Sequence, residues 1–139
     1  MKKLLITALC GLAAASPAYA APLTVNLEGV RNTGGRLHVS VQTREQFRRE
    51  GGIAGSAMSL PQAGSHRFSY DVPAGEYVVS VWHDDNANGR FDKDERSMPL
   101  DGWALVNGAQ LRGEPSFEQA RTVVADAPVT VRLEMIYGR

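Results

Sequence analysis

Oxygen-bearing side chains recur at every second position from Asp84: Asp84, Asn86 and Asn88 are followed by Gly89, Arg90, Asp92 and Glu95. On a wrapping loop, side chains spaced in this way converge on one point. A hard divalent cation requires such convergence, since calcium takes about 6–8 oxygen ligands at about 2.3–2.6 Å. Starting from Asp84, the segment fills every required place of the loop pattern D-x-[DN]-x-[DN]-G-x5-E. Gly89 permits the sharp turn, Arg90 offers its backbone carbonyl, and the late Glu95 closes the shell with two oxygens. The expected site is one calcium ion held by Asp84, Asn86, Asn88, Arg90, Asp92 and Glu95. Phe91 is expected to pin the loop to the core.

The bland alternative is an Asx/Gly hairpin turn, which "DDNANG" makes without any metal. Such a turn has no need of Asp92 and Glu95. Within the loop, Asp84, Asp85, Asp92, Asp94 and Glu95 face only Arg90 and Lys93, a repulsion that a cation relieves. Two asparagines lower the ligand charge and so the affinity. The segment before the loop alternates like a strand, so a rigid clip between strands is expected rather than a helix-pair sensor. Extracellular sites of this kind bind at about 10⁻⁴–10⁻³ M.

The ends of the chain say where such a loop would work. Lys2 and Lys3 precede an apolar run from Leu4 to Ala15, Pro17 breaks it, and Ala18-Tyr19-Ala20 is a small-x-small cleavage motif. Residues 1–20 are therefore expected to be a secretory signal peptide, and 21–139 a single domain, periplasmic or secreted. The run is shorter than the roughly 20 apolar residues of a spanning helix. Cys10, the single cysteine, lies inside it, so the mature chain has no disulfide and no thiolate. Without Lys2 and Lys3, 13 basic residues face 15 acidic ones. No basic patch with interleaved aromatics suggests nucleic acid.

The elements that must position the loop are strands. Alternation places Leu23, Val25 and Leu27 on one face, then Leu37, Val39 and Val41, then Phe68, Tyr70 and Val72. Tyr77, Val79 and Val81 follow, with Val78 and Trp82 making the other face apolar too, as in a central strand. Val129, Val131, Leu133, Met135 and Tyr137 end the series, and Val79, Val81, Val131 and Leu133 are expected to be buried and adjacent. Residues 43–50 and 115–121 carry capping-box spacing for two short helices. The stretch 51–65 has the composition of a flexible surface loop. The expected fold is all-β, an antiparallel sandwich of about seven strands, with a small open barrel as the alternative.

"FSYDVPAGEYVVSVWHDDNANGRFD", "MPLDGWALVNGA" and "GEPSFEQA" together resemble the bacterial domain-of-unknown-function family 2141, over roughly residues 22 to 137. The resemblance implies an exported transthyretin-like or immunoglobulin-like β-sandwich and no known activity. Asp101, Val106 and Glu114 depart from the family's usual Glu, Ser and small or Pro residues. Two functions follow. One is a binding module for a protein, peptide or carbohydrate, with Trp103 and segment 102–118 as a recognition surface. The other is a transthyretin-like hydrolase, with Arg36, His38 and Arg132 meeting in a cleft. A structural module with no metal is the third possibility. His38 and His66 are expected to be solvated, and His83 to pair with a carboxylate or hold the loop. Trp82 is expected to pack in the core, and core packing is also the alternative reading of Trp103.

Overall fold

The computed structural model describes residues 20–49 and 51–138; all of the expected signal peptide 1–20 but Ala20 lies outside them. Eight strands form two sheets: β1 (Ala20–Val30), β2 (Arg36–Gln42), β3 (Ala54–Ser59), β4 (Gly64–Pro73), β5 (Gly75–Asp84), β6 (Gly102–Leu105), β7 (Arg121–Val124) and β8 (Val129–Glu134). One sheet has the order β4-β1-β8. The other has the order β3-β2-β5-β6, with β7 pairing the first half of β5 while β6 pairs the second half. The all-β sandwich is thus as expected. β1 and β8, the first and last strands, run parallel, from Leu23 opposite Val129 to Glu28 opposite Glu134. The other strand pairs are antiparallel.

The alternating apolar residues build the core between the sheets. Leu23, Val25, Leu27, Leu37, Val41 and Val79 are wholly buried, and Val81, Val131 and Leu133 join them in one cluster. Each such burial stabilises the fold by about 1.5–3 kcal/mol. β5 has neighbours on both sides and both faces covered, the position that its doubly apolar pattern predicts. Its outward Val78 packs with Phe117, Ala120, Phe47 and Leu105 in a second, smaller cluster.

Two local expectations need correction. The stretch 51–65 is not all loop, because β3 lies within it as an edge strand paired to β2. Its small residues serve close approach: a Cβ on Gly55 would come within 2.6 Å of the Val39 carbonyl oxygen. Residues 43–49 form hydrogen-bonded turns rather than a helix. Thr43 and Gln46 make the expected cap contact at 3.1 Å, but Arg48 turns left-handed at φ 67°. The buried Gln42 amide then binds the carbonyls of Gln46, Arg49 and Gly51, which holds the segment as a wrapped turn. The second helix is present as α1 (Phe117–Ala120), with its capping box formed by Ser116 and Gln119.

Candidate functional site

β5 delivers the loop from its most constrained end. His83 is fully buried, and Asp84 follows it with 5% exposure. The His83 Nε2 lies 2.8 Å from the Gly34 carbonyl and Nδ1 lies 2.8 Å from the Tyr137 hydroxyl. A carbonyl only accepts, so Nε2 carries a proton, and in the neutral ring Nδ1 accepts from Tyr137. The Arg31 amide donates to the same hydroxyl at 2.9 Å. Burial raises the Tyr137 pKa, which keeps this donor protonated. His83 therefore holds the turn before β2 and the C-terminal tail against the base of the loop. Its partners are a hydroxyl and a carbonyl, not a carboxylate.

The loop closes through its own oxygens. Asp84 Oδ1 accepts the Asn88 amide at 3.0 Å and Oδ2 accepts the Gly89 amide at 2.8 Å. Asn86 Oδ1 accepts the Asn88 amide at 3.1 Å, and Asn88 Oδ1 accepts the Arg90 amide at 2.9 Å. The Asn86 and Asn88 bonds are successive Asx turns, which the alternate spacing creates, while Asp84 reaches across them to residues further on. Asp92 reaches back into the ring. Its Oδ2 accepts from Asn86 Nδ2 at 2.8 Å and from Asn88 Nδ2 at 2.5 Å. These two amides, Asn86 first, with Arg90 adding to them, hold the Asp92 carboxyl below the ordinary carboxylate range.

Four of the six expected ligands are thus brought together: Asp84, Asn86, Asn88 and Asp92. Arg90 enters through its amide nitrogen. Glu95 is exposed, on the tip of a small hairpin in which Lys93 pairs with Pro99. That tip is set by Asp94, whose Oδ1 accepts the Arg96 amide at 2.8 Å and the Met98 amide at 2.9 Å. Among the described residues, no three His, Cys, Asp or Glu side chains converge as a metal-binding group.

One important residue escapes the loop pattern. Asp101 is 1% exposed, and its Oδ2 accepts both the Trp82 indole N–H at 2.8 Å and the Asp92 amide at 3.1 Å. It ties the far arm of the loop to the outer face of β5. An acidic residue alone between Leu100 and Gly102-Trp103, in a mostly apolar stretch, is the only local signal of its burial.

The aromatic residues lie elsewhere than expected. Trp82 is on the outer face of the five-stranded sheet, not in the core. His38, Trp82 and Trp103 are in register across three strands, and His38 stacks on Trp82 with ring centroids 4.7 Å apart. Burial first, and then Arg36, lower the His38 pKa, against a weaker pull from Asp84. Phe91 meets Trp82 edge-on from the solvent side and is 41% exposed, so it caps the indole instead of entering the core. Trp103 exchanges backbone hydrogen bonds with Ile136 at 2.9 and 2.8 Å, which joins the two sheets at one edge. Segment 102–118 is not a free connection: it holds β6 and a 3-10 turn at Gly108–Gln110. His66, half-buried, lies 2.7 Å from the Gln62 carbonyl.

Arg36 and His38 project from the outer face of one sheet. Arg132 projects from the outer face of the other, since its neighbours Val131 and Leu133 fill the core. The three side chains do not share a cleft.

The profile of a bacterial family, DUF2141, described as an uncharacterized protein conserved in bacteria, matches residues 25–132. No curated protein matches the chain. No solved structure matches it either.

Proposed function

The chain belongs to that family, and we propose that it is an exported β-sandwich binding module whose 84–95 loop takes one calcium ion as a rigid clip. The observation that supports this reading is the ring of Asp and Asn side-chain hydrogen bonds to the loop backbone, closed by Asp92. The Asp84, Asn86 and Asn88 oxygens in it accept backbone N–H groups and keep lone pairs for a cation, and Asp92, whose Oδ2 accepts the Asn86 and Asn88 side-chain amides, keeps its second oxygen. Asp84, Asn86, Asn88 and Asp92 supply side-chain oxygens, Arg90 its carbonyl, and Glu95 closes the shell once the hairpin tip moves. On binding, the Asn86 and Asn88 amides turn their oxygens inward, and the cation replaces their N–H bonds to Asp92. The module's partner, in the periplasm or medium, is a protein, peptide or carbohydrate.

Thermal melting with calcium and with chelator tests the clip. Binding to the folded state alone raises stability by about 2.7 kcal/mol at 100 times the dissociation constant. Magnesium, which demands near-ideal octahedral geometry, substitutes poorly. Asp92→Asn keeps the size of the side chain, and it is expected to remove most of the calcium shift. Melting of the parent that is identical across millimolar calcium and chelator would refute the clip.

A further inference from the structure

We propose that this chain must be processed before it folds: the Ala20–Ala21 bond is cut while β1 is undocked, and folding seals it. This inference rests on the export reading above. Hydrolysis there adds water across the peptide bond, leaving a carboxylate on Ala20 and an ammonium on Ala21. A protease that makes this cut must hold the chain extended, with its backbone groups free to enter the enzyme's cleft.

The fold already uses that backbone. β1 begins at Ala20, with no spacer between the scissile bond and the sheet. Ala20 pairs with Pro73 and Ala21 with Val72 on β4, and from Leu23 onward the strand also pairs with β8. Ala21 is 3% exposed and Leu23 wholly buried. To present Ala21 and the residues after it, the folded chain must draw Ala21 and Leu23 out of the core. Susceptibility to proteolysis follows from burial and hydrogen bonding of the backbone, and both oppose cleavage here. β1 is the middle strand of its sheet, so deeper opening strips contacts on both sides.

The full-length chain, refolded in detergent with its leader intact, is incubated with a signal peptidase beside two unfolded arms. One is Val131→Asp, which puts an unpaired charge into the core. The other is a chain ending at Pro128, which lacks β8. Far-UV circular dichroism verifies the state of each. Cleavage of the folded parent is expected to be about tenfold or more slower than that of either unfolded arm. A six-residue Ser-Gly spacer inserted between Ala20 and Ala21 should restore fast cleavage of the folded chain, because it moves the bond clear of the sheet. Equal rates for folded parent and unfolded arms overturn the proposal, as does a spacer chain as slow as the parent. Unfolded arms that are not cut after Ala20 overturn the export reading, and the proposal falls with it.

Discussion

Replacing Asp101 with alanine tests whether the loop is held by the sheet or only by itself. The carboxylate is the shared acceptor of the Trp82 indole and the Asp92 amide. Its loss leaves two donors unpaired, at about 1–3 kcal/mol for each that water does not reach. Asp92 and Trp82 are both half-buried, so neither donor reaches the top of that range. Against this cost stands the relief of a buried charge with no Lys or Arg within 4.0 Å among the described residues. The balance is a destabilisation of about 2–3 kcal/mol, or a melting point lower by roughly 6–15 °C for a domain of this size. Asp101→Asn, which keeps one oxygen, should lose only about 1 kcal/mol. Urea unfolding followed by tryptophan fluorescence reads both stability and the indole environment. Combining Asp101→Ala with Trp82→Phe completes a double-mutant cycle, with an expected coupling of about 1–2 kcal/mol. If Asp101→Ala is as stable as the parent, or if the two changes simply add, the strut does not exist.

Two other changes probe the same end of the molecule. A Cβ on Gly35, at φ +70°, would lie 1.6 Å from the Asp84 carbonyl oxygen, whereas at Gly34, φ +95°, it would meet nothing within 4 Å. Gly35→Ala should therefore cost more than about 4 kcal/mol and Gly34→Ala only about 1–2 kcal/mol of backbone strain; equal melting curves for the two would contradict the close approach. The lowered His38 pKa has a definite sign in stability. The unfolded chain binds the proton more readily, so the contribution is fully present above the ordinary histidine value of about 6.5 and is lost as pH falls from there through the folded pKa. His38→Gln should flatten that slope in melts from neutral to mildly acidic pH, and NMR titration of the ring should give a midpoint below that of a free histidine.

The strand faces were legible in the chain because each is a local alternation, so Leu23 to Leu27 and Val129 to Leu133 identify themselves. What alternation does not carry is a strand's partner, so the parallel pairing of β1 with β8 had no local sign. β3 was hidden for a different reason. Its Ala, Gly and Ser residues are small because the neighbouring backbone is close, and smallness also marks loops. The expected helix after Thr43 has its cap but not its continuation, since Gln42, on the strand before it, captures the carbonyls that a helix would use. At the site, spacing revealed Asp84, Asn86, Asn88 and Asp92, which meet through short-range turns. Glu95 depends on a helical exit from the loop, and the chain instead turns back at Asp94. Asp101 arrives only because β6 pairs with β5, a long-range event that the loop does not encode.

The parallel pairing of the outermost strands in the chain also gives the molecule a polarity. β1 enters beside the Pro73–Gly75 connection, and β8 runs alongside it to end where Tyr137 meets His83. The two termini therefore lie at opposite poles, separated by about the length of β1, roughly 30 Å at about 3.3 Å per residue. Anything attached ahead of Ala21 would hold the sandwich by the pole distant from the acidic loop and point that loop outward. Copies joined head to tail would extend as a rod, each passing tension along two strands that pull in shear rather than unzip.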